Sequence, residues 1–530
     1  MENNNRVAQI LDSTLRDGSQ GEGISFSLQD KLRILKALDE FGVSYVEAGN
    51  PCSNPKDEEF FEEIKKIKLN KSKVCAFGST VKPDTDIKTD ENIKKLLNAG
   101  TPSVTIVGKA WDFHVEQILK ISLEDNLRII RETVSYLKEH EKEVLFDAEH
   151  FFDGYMQNPK YALSVLKAAA DSGADVLVLC DTNGGMIPKY VEIITETVKR
   201  EFLDKAIGIH CHNDSGCGVA NSISGIYGGA THIQGTMLGF GERCGNADLA
   251  TIIADLTVKC NYDCGVNIEN LSSVCQKIAE ISNVLIKNDH PYIGKSAFAH
   301  KGGMHVDAVQ KISSSFEHIE PNSVGNERRF LLSEVSGRGT VLPIIQKYNP
   351  SIDKNSPEPK KVTDKLKELE FEGYQFEAAE ASFDLLIRRQ LGLFTPPFEI
   401  VKYNLNGAYP FVDGEQYLGA VEIKVNGKSE AASSLGNGPV NALDNAIRMV
   451  LHKYYPCLKT MYMSDIKVRF TQMGRTTDAK VRVLIESTDE QGAFTTVGVS
   501  SDIVGASFTA LIDSYEFEII KSTEEKYDKN

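Results

Sequence analysis

Eight short runs rich in valine and isoleucine recur through the first half of the chain. They lie at Val7–Ser13, Val43–Ala48, Val74–Gly78, Val104–Val107, Val144–Ala148, Val176–Cys180, Ile207–Cys211 and Ile233–Met237. They are spaced roughly 25 to 40 residues apart, with helical periodicity between them, the spacing of strand–helix units. Runs such as VTIVG and VLVLC are apolar on both faces, as parallel strands covered on both sides must be. Ser27-Leu-Gln-Asp30 reads as a capping box with Asp in place of Glu. Leu28, Leu32, Leu35 and Leu38 then form one apolar stripe, and Gly42 stops the helix. Eight such alternations in about 250 residues predict a (β/α)8 TIM barrel.

A barrel of this kind gathers its reactive groups where strands end and loops begin. Those positions hold Asp12 with Arg16 and Asp17, then Glu47, Lys109, Asp147 with Glu149, Asp181 with Thr182, His210 with His212, and Glu242 with Arg243. Residues i and i+2 of a strand share a face. His210 and His212 are therefore either structural histidines or two ligands aimed at one divalent metal, with Asp17 as the carboxylate that usually completes such a set. Zn, Mn, Mg and Co all suit two imidazoles and a carboxylate. Arg16 reads as a stabiliser of a developing oxyanion or as one half of a salt bridge. Glu149 reads as a proton-transfer group with a pKa raised by burial, or as a hydrogen-bond anchor. Thr182 either binds a substrate carboxylate or caps the next helix. His305, beyond the barrel, reads as a base on a lid or as a surface histidine. The run GFGERCG (239–245) lacks the spacing and the Lys-Ser/Thr of a phosphate loop.

With 530 residues, the chain is too long for one core. We expect a catalytic barrel over 1–275, a linker subdomain with helical elements over 276–394, and an α+β regulatory domain over 395–530. NPSIDKNSPEPKKVT (349–363) reads as an exposed linker. YLGAVEIKV, SDIKVRFTQ and KVRVLIES alternate like strands with one wet face. PVNALDNAIRMVLHKYY and SDIVGASFTALIDSYEFEII read as amphipathic helices, each after a small-residue stretch, which suggests a duplicated strand–strand–helix unit. The last ten residues read as a frayed tail. A net charge of −16 offers phosphates no basic stripe, so nucleic acid is not an expected partner. No apolar run approaches the ~20 residues of a membrane span, and the N-terminal residues lack the apolar core of a signal peptide. Ten cysteines without framework spacing read as reduced thiols in a cytoplasmic protein.

Several stretches carry a resemblance. DSTLRDGSQGEGISFS (12–27), FDAEHFFDGY (146–155), LCDTNGG (179–185), HCHNDSGCGVANS (210–222), GFGERCGNADL (239–249) and FAHKGGMHVDA (298–308) are similar to the 2-isopropylmalate, homocitrate and citramalate synthases. These are condensing enzymes on a TIM barrel. Residues from about 400 to 520 resemble their regulatory domain, so the likeness spans almost the whole chain. LRDGSQGEGISFS, GNERR and GYQFEAAEASF most resemble the citramalate branch.

The resemblance implies metal ligands at Asp17, His210 and His212, with Asn246 at or beside the metal. It implies Arg16 near the reacting oxygens, Glu149 near the oxo acid, Thr182 on its carboxylate, and His305 as a catalytic histidine acting in a neighbouring subunit's site. It further implies acetyl-CoA and pyruvate as substrates, isoleucine as the expected effector and a homodimer. Phe316 departs from the family, many of whose members carry a tyrosine there. Phenylalanine cannot relay a proton. Rival readings are the same condensation on a larger oxo acid, or a catalytically silent amino-acid sensor, which a broken metal set would mark.

Overall fold

The computed structural model describes residues 6–331, 338–353, 355–407, 417–471, 480–489 and 492–528. The chain divides into two compact units, one of residues 1–298 and 318–328, the other of residues 299–317 and 329–530.

In the first unit eight parallel strands close into a barrel. They are β1 (Gln9–Asp12), β2 (Tyr45–Glu47), β3 (Lys73–Ser79), β4 (Ser103–Lys109), β5 (Glu143–Glu149), β6 (Val176–Asp181), β7 (Ala206–Cys211) and β8 (His232–Gly235). Each pairs with its sequence neighbours, and β8 closes on β1 with Ile10 opposite Ile233. The eight runs read from the sequence are these strands, with no end moved by more than two residues. Leu11, Tyr45, Cys75, Leu145, Val176 and Val178 fill the barrel interior. A larger apolar layer packs the strands against the surrounding helices. Each fully buried leucine, isoleucine or phenylalanine there is worth ~1.5–3 kcal/mol.

Helix α1 (Leu28–Phe41) opens on the capping box that its sequence announced. Ser27 accepts from Asp30 N–H, and the Asp30 carboxylate accepts from Ser27 N–H. Gly42 ends it in the left-handed region, at φ 104°. The buried face is centred on Ile34, Leu35, Leu38 and Phe41, while Leu28 and Leu32 are only half-buried. All four residues of the expected stripe thus face the core, and Ile34 and Phe41 widen it. Lys31 enters the buried face because Asp57 and the Ala48 carbonyl receive its ammonium.

The second unit carries helices at Arg338–Tyr348 and Pro357–Phe371, and α2 (Glu380–Leu391). They share a core that includes Val341, Ile345, Val362, Leu366, Phe383 and Ile387. The stretch 349–363 is thus a connector only in its first half. From Pro357 it is helix, with prolines in the first turn where no N–H is missed. Two three-stranded antiparallel sheets follow, β9 (Glu399–Gly407), β10 (Tyr417–Val425) and β11 (Lys428–Gly436), then β12 (Tyr462–Phe470), β13 (Val481–Asp489) and β14 (Gly492–Ser500). Each is followed by a helix, α3 (Pro439–Leu451) or α4 (Ile503–Asp528). The duplicated unit is therefore strand–strand–strand–helix, one strand longer than expected. Both copies carry a register shift early in the first strand, at Ile400/Lys402 and at Met463/Asp465. In β10 and β13 alternate residues are buried. The strand read from SDIKVRFTQ has no dry face within the unit: β12 is exposed at nearly every position, as is β9. Helix α4 runs on to Asp528, through most of the expected tail.

Candidate metal centre and active site

Asp17 leaves the turn after β1, His210 is the penultimate residue of β7, and His212 follows one residue beyond that strand. The Nε2 atoms of His210 and His212 lie 3.3 and 3.7 Å from Asp17 Oδ2. The three donors fall within 4.8 Å of one another, and all three residues are buried. Asn246 is buried beside them, bridged through its backbone to His212. Its Nδ2 donates to the Phe240 carbonyl at 3.1 Å. Its Oδ1 is buried with no hydrogen-bond partner among the described residues. An orphaned buried oxygen is costly unless something receives it. Two imidazoles, one carboxylate and a spare amide oxygen match the donor preferences of a divalent transition metal, so these residues fit such an ion.

Burial works against ionisation of Asp17, but the charge of Arg16, aided by His210, outweighs it and holds the carboxyl well below the usual range. Burial lowers His212 to about 4, with the neighbouring His210 adding to the effect, so its ring is neutral near pH 7. Burial also lowers His210, yet the hydrogen bond and charge of Asp17 leave it raised.

Arg16 is fixed from three sides. Its Nε donates to Glu47 Oε2 at 2.6 Å, its Nη1 lies 3.3 Å from Asp17, and its guanidinium sits 3.9 Å from the centre of the Phe77 ring. Ser13 Oγ donates to the same Glu47 oxygen at 2.5 Å. The salt-bridge reading of Arg16 is thus realised, and it aims the guanidinium at the metal ligands.

Glu149 and Lys109 are register partners at the ends of β5 and β4, and their side chains form an ion pair. Thr182 Oγ1 accepts from the backbone N–H of His150 at 2.9 Å, which leaves its O–H to donate elsewhere. It caps no helix: the next one begins at Pro188, with Ile187 at its N-cap. Arg243 ties the surrounding loops together, bonding Asp214 through both carboxylate oxygens and the Thr182 carbonyl at 2.8 Å. The loop that carries it needs left-handed backbone: Gly241 has φ 154°, and a Cβ there would fall 2.2 Å from Asn246 Nδ2. His305 belongs to the second unit, exposed on the helix Gly303–Lys311, where its ring stacks on Phe316 with centroids 4.0 Å apart.

Sequence reasoning marked Glu47 and Asp147 only as strand-end carboxylates, and it missed Gln234. Burial, with Glu47 nearby, raises Asp147 to about 7. Gln234 Nε2 donates to Asp147 Oδ1, and Gln234 Oε1 meets His210 Nδ1, each at 2.9 Å. A glutamine inside a β-run gives no spacing signal. Only its place opposite His210 on the next strand could have drawn attention.

Comparison with known proteins follows this architecture. The HMGL-like family matches residues 7–278, the homocitrate synthase post-HMGL domain-like family residues 292–373, and the LeuA allosteric (dimerisation) domain residues 377–518. An (R)-citramalate synthase of Aquifex aeolicus is 49% identical over 519 residues, 97% of this chain and 98% of the relative. One from Geobacter sulfurreducens is 46% identical over 522 residues, covering 98% of each chain. A probable 2-isopropylmalate synthase of Archaeoglobus fulgidus is 29% identical over 518 residues, 96% of this chain and 97% of the relative. With close relatives matched from end to end, the chain belongs to the HMGL-like family, on its (R)-citramalate synthase branch.

Proposed function

We propose that the protein is a citramalate synthase: acetyl-CoA, pyruvate and water give citramalate and CoA. The observation that carries this reading is the intact, buried set of Asp17, His210 and His212 in a chain nearly half identical, end to end, to (R)-citramalate synthases.

Asp17, His210 and His212, with the Asn246 amide oxygen, would hold the divalent cation. Such an ion supplies Lewis-acid polarisation of a carbonyl oxygen. Thr182 donates its hydroxyl proton to the pyruvate carboxylate. His305 from a neighbouring subunit and Glu149 are the leading participants in taking a proton from the acetyl methyl group. The resulting enolate carbon bonds to the keto carbon of pyruvate. Arg16, pinned by Glu47, faces the oxygen on which negative charge grows, and a fixed cation needs no reorganisation at that moment. Water then cleaves the thioester, releasing CoA.

Two further observations bear on the rivals. A dicarboxylate oxo acid, as in homocitrate synthesis, needs a free cation for its second carboxyl, and Lys109 at the end of β4 is engaged by Glu149. A silent sensor would be marked by a broken metal set, and here all three ligands converge. For the second unit we propose a homodimer regulated by isoleucine. The exposed Val401, Ile466, Val468 and Phe470 of β9 and β12 support an association surface there.

The test is product identification. Protein loaded with zinc or manganese and given acetyl-CoA and pyruvate should release free thiol and yield citramalate by mass. Protein stripped by a chelator should do neither until metal is returned. Thiol release without citramalate, or turnover indifferent to stripping, contradicts the reading.

A further inference from the structure

The imidazole of His210 is held from behind. Its Nδ1 lies 2.9 Å from Oε1 of Gln234, its register partner on β8. Gln234 Nε2 donates in turn to Asp147 Oδ1 at 2.9 Å, reaching across the barrel interior to β5. His210 is 5% exposed, Gln234 0% and Asp147 3%, so no solvent competes for these bonds. An amide oxygen only accepts, so Nδ1 must be the donor in its contact with Gln234. With Asp147 ionised, reversing the amide would set its oxygen against the carboxylate, acceptor against acceptor. Asp147 therefore decides which way Gln234 points, and Gln234 decides which nitrogen of His210 keeps its proton. The nitrogen left for a ligand is Nε2, 3.3 Å from Asp17.

We infer that Gln234 is a positioning residue for the metal centre: it keeps the His210 proton on Nδ1 and turns Nε2 toward the ion. His212 is the internal contrast, because its Nδ1 is buried with no hydrogen-bond partner among the described residues. Orientation by hydrogen bonding thus falls on one imidazole of the pair. To orient His210 the side chain needs only its acceptor, while its donor serves Asp147. A carboxylate at this position would still receive Nδ1–H, but it would face Asp147 with nothing to give. The inference rests on reading Asp17, His210 and His212 as a metal site. The bland alternative is that Gln234 only fills a polar gap in the barrel.

Two measurements separate these. The first is zinc affinity of the full-length protein, by competition with a coloured chelator, for wild type, Gln234→Met and Gln234→Glu. Loss of such an outer partner typically weakens metal binding ~10–100-fold, so Gln234→Met should bind zinc weaker by that factor. Gln234→Glu, which keeps the acceptor, should stay close to wild type. The second is histidine nitrogen NMR of labelled protein, with the His210 signal identified by its loss in His210→Gln. A proton should sit on Nδ1 of His210 in both the zinc-loaded and the metal-free wild type. Undiminished zinc affinity in a folded Gln234→Met protein overturns the inference. So does a bare Nδ1 in the wild type, a result that does not depend on whether the variant folds. If the wild type binds no zinc, the metal reading fails, while the spectrum of the metal-free protein still decides the role of Gln234.

Discussion

At the scale of single residues, the proposed centre is a few buried charges held by one another. His212→Ala removes one of three proposed ligands and should abolish turnover and lower bound metal. Equal turnover in the variant would sink the metal assignment. Glu47 is fully buried and anchors Arg16. Removing one partner of a buried ion pair strands the other charge, at a cost of ~3–5 kcal/mol. Glu47→Ala should therefore lower the stability of the first unit by about that amount in chemical denaturation, and turnover should fall with it. A loss under about 1 kcal/mol, the size of a surface pair, would mean that the pair is not what holds Arg16. These residues differ in how they show in a sequence. His-x-His announces itself because residues two apart on a strand share a face. Asp17 follows once the barrel is recognised. Gln234 and the Lys109–Glu149 pair do not show, because neither has a characteristic spacing and both become meaningful only through strand register.

At the scale of elements, legibility follows burial. The barrel strands could be read because both faces are covered, which writes unbroken apolar runs such as VLVLC. Helix α1 could be bounded because its caps are local chemistry, but the burial of Lys31 on its core face could not be read, because Asp57 from another helix satisfies it. β12 was misjudged because its apolar residues are exposed within the unit, so alternation does not report a core there. The link between α2 and α4 leads to a pH prediction. Arg389 on α2 bonds Asp513 and Glu516 on α4, and burial raises Glu516 from 4.5 to about 7, with Asp513 adding to it and Arg389 opposing it. The unfolded chain then ionises this group first. Stability of the second unit should fall as pH rises from about 4.5 to about 7 and level off beyond, by on the order of 1.4 kcal/mol per unit of pKa difference. Glu516→Gln should flatten that part of a melting-temperature profile. An unchanged slope would show that Glu516 is ionised throughout.

At the scale of the whole molecule, a catalytic barrel is joined in sequence to a unit that repeats a strand–strand–strand–helix pattern. The repeat was visible in the sequence because its two helices each follow a small-residue stretch. The third strand of each copy was not, since KSEAASSLG and GAFTTVGVS carry too few large apolar residues to stand out. If the second unit is regulatory, isoleucine should suppress CoA release by the full-length protein more strongly than leucine does, with no oxo acid added beyond pyruvate. Indifference to both would detach regulation from this account.

The choice of oxo acid separates the branches of the family. The most direct test is CoA release from acetyl-CoA by metal-loaded protein, compared across pyruvate, 2-oxobutyrate, 2-oxoisovalerate and 2-oxoglutarate. One methylene in an apolar pocket shifts selectivity by only ~1–3 kcal/mol, so 2-oxobutyrate should be the nearest competitor. The highest kcat/KM should belong to pyruvate, with none measurable for 2-oxoglutarate. A preference for 2-oxoisovalerate would contradict that and move the protein to isopropylmalate synthesis.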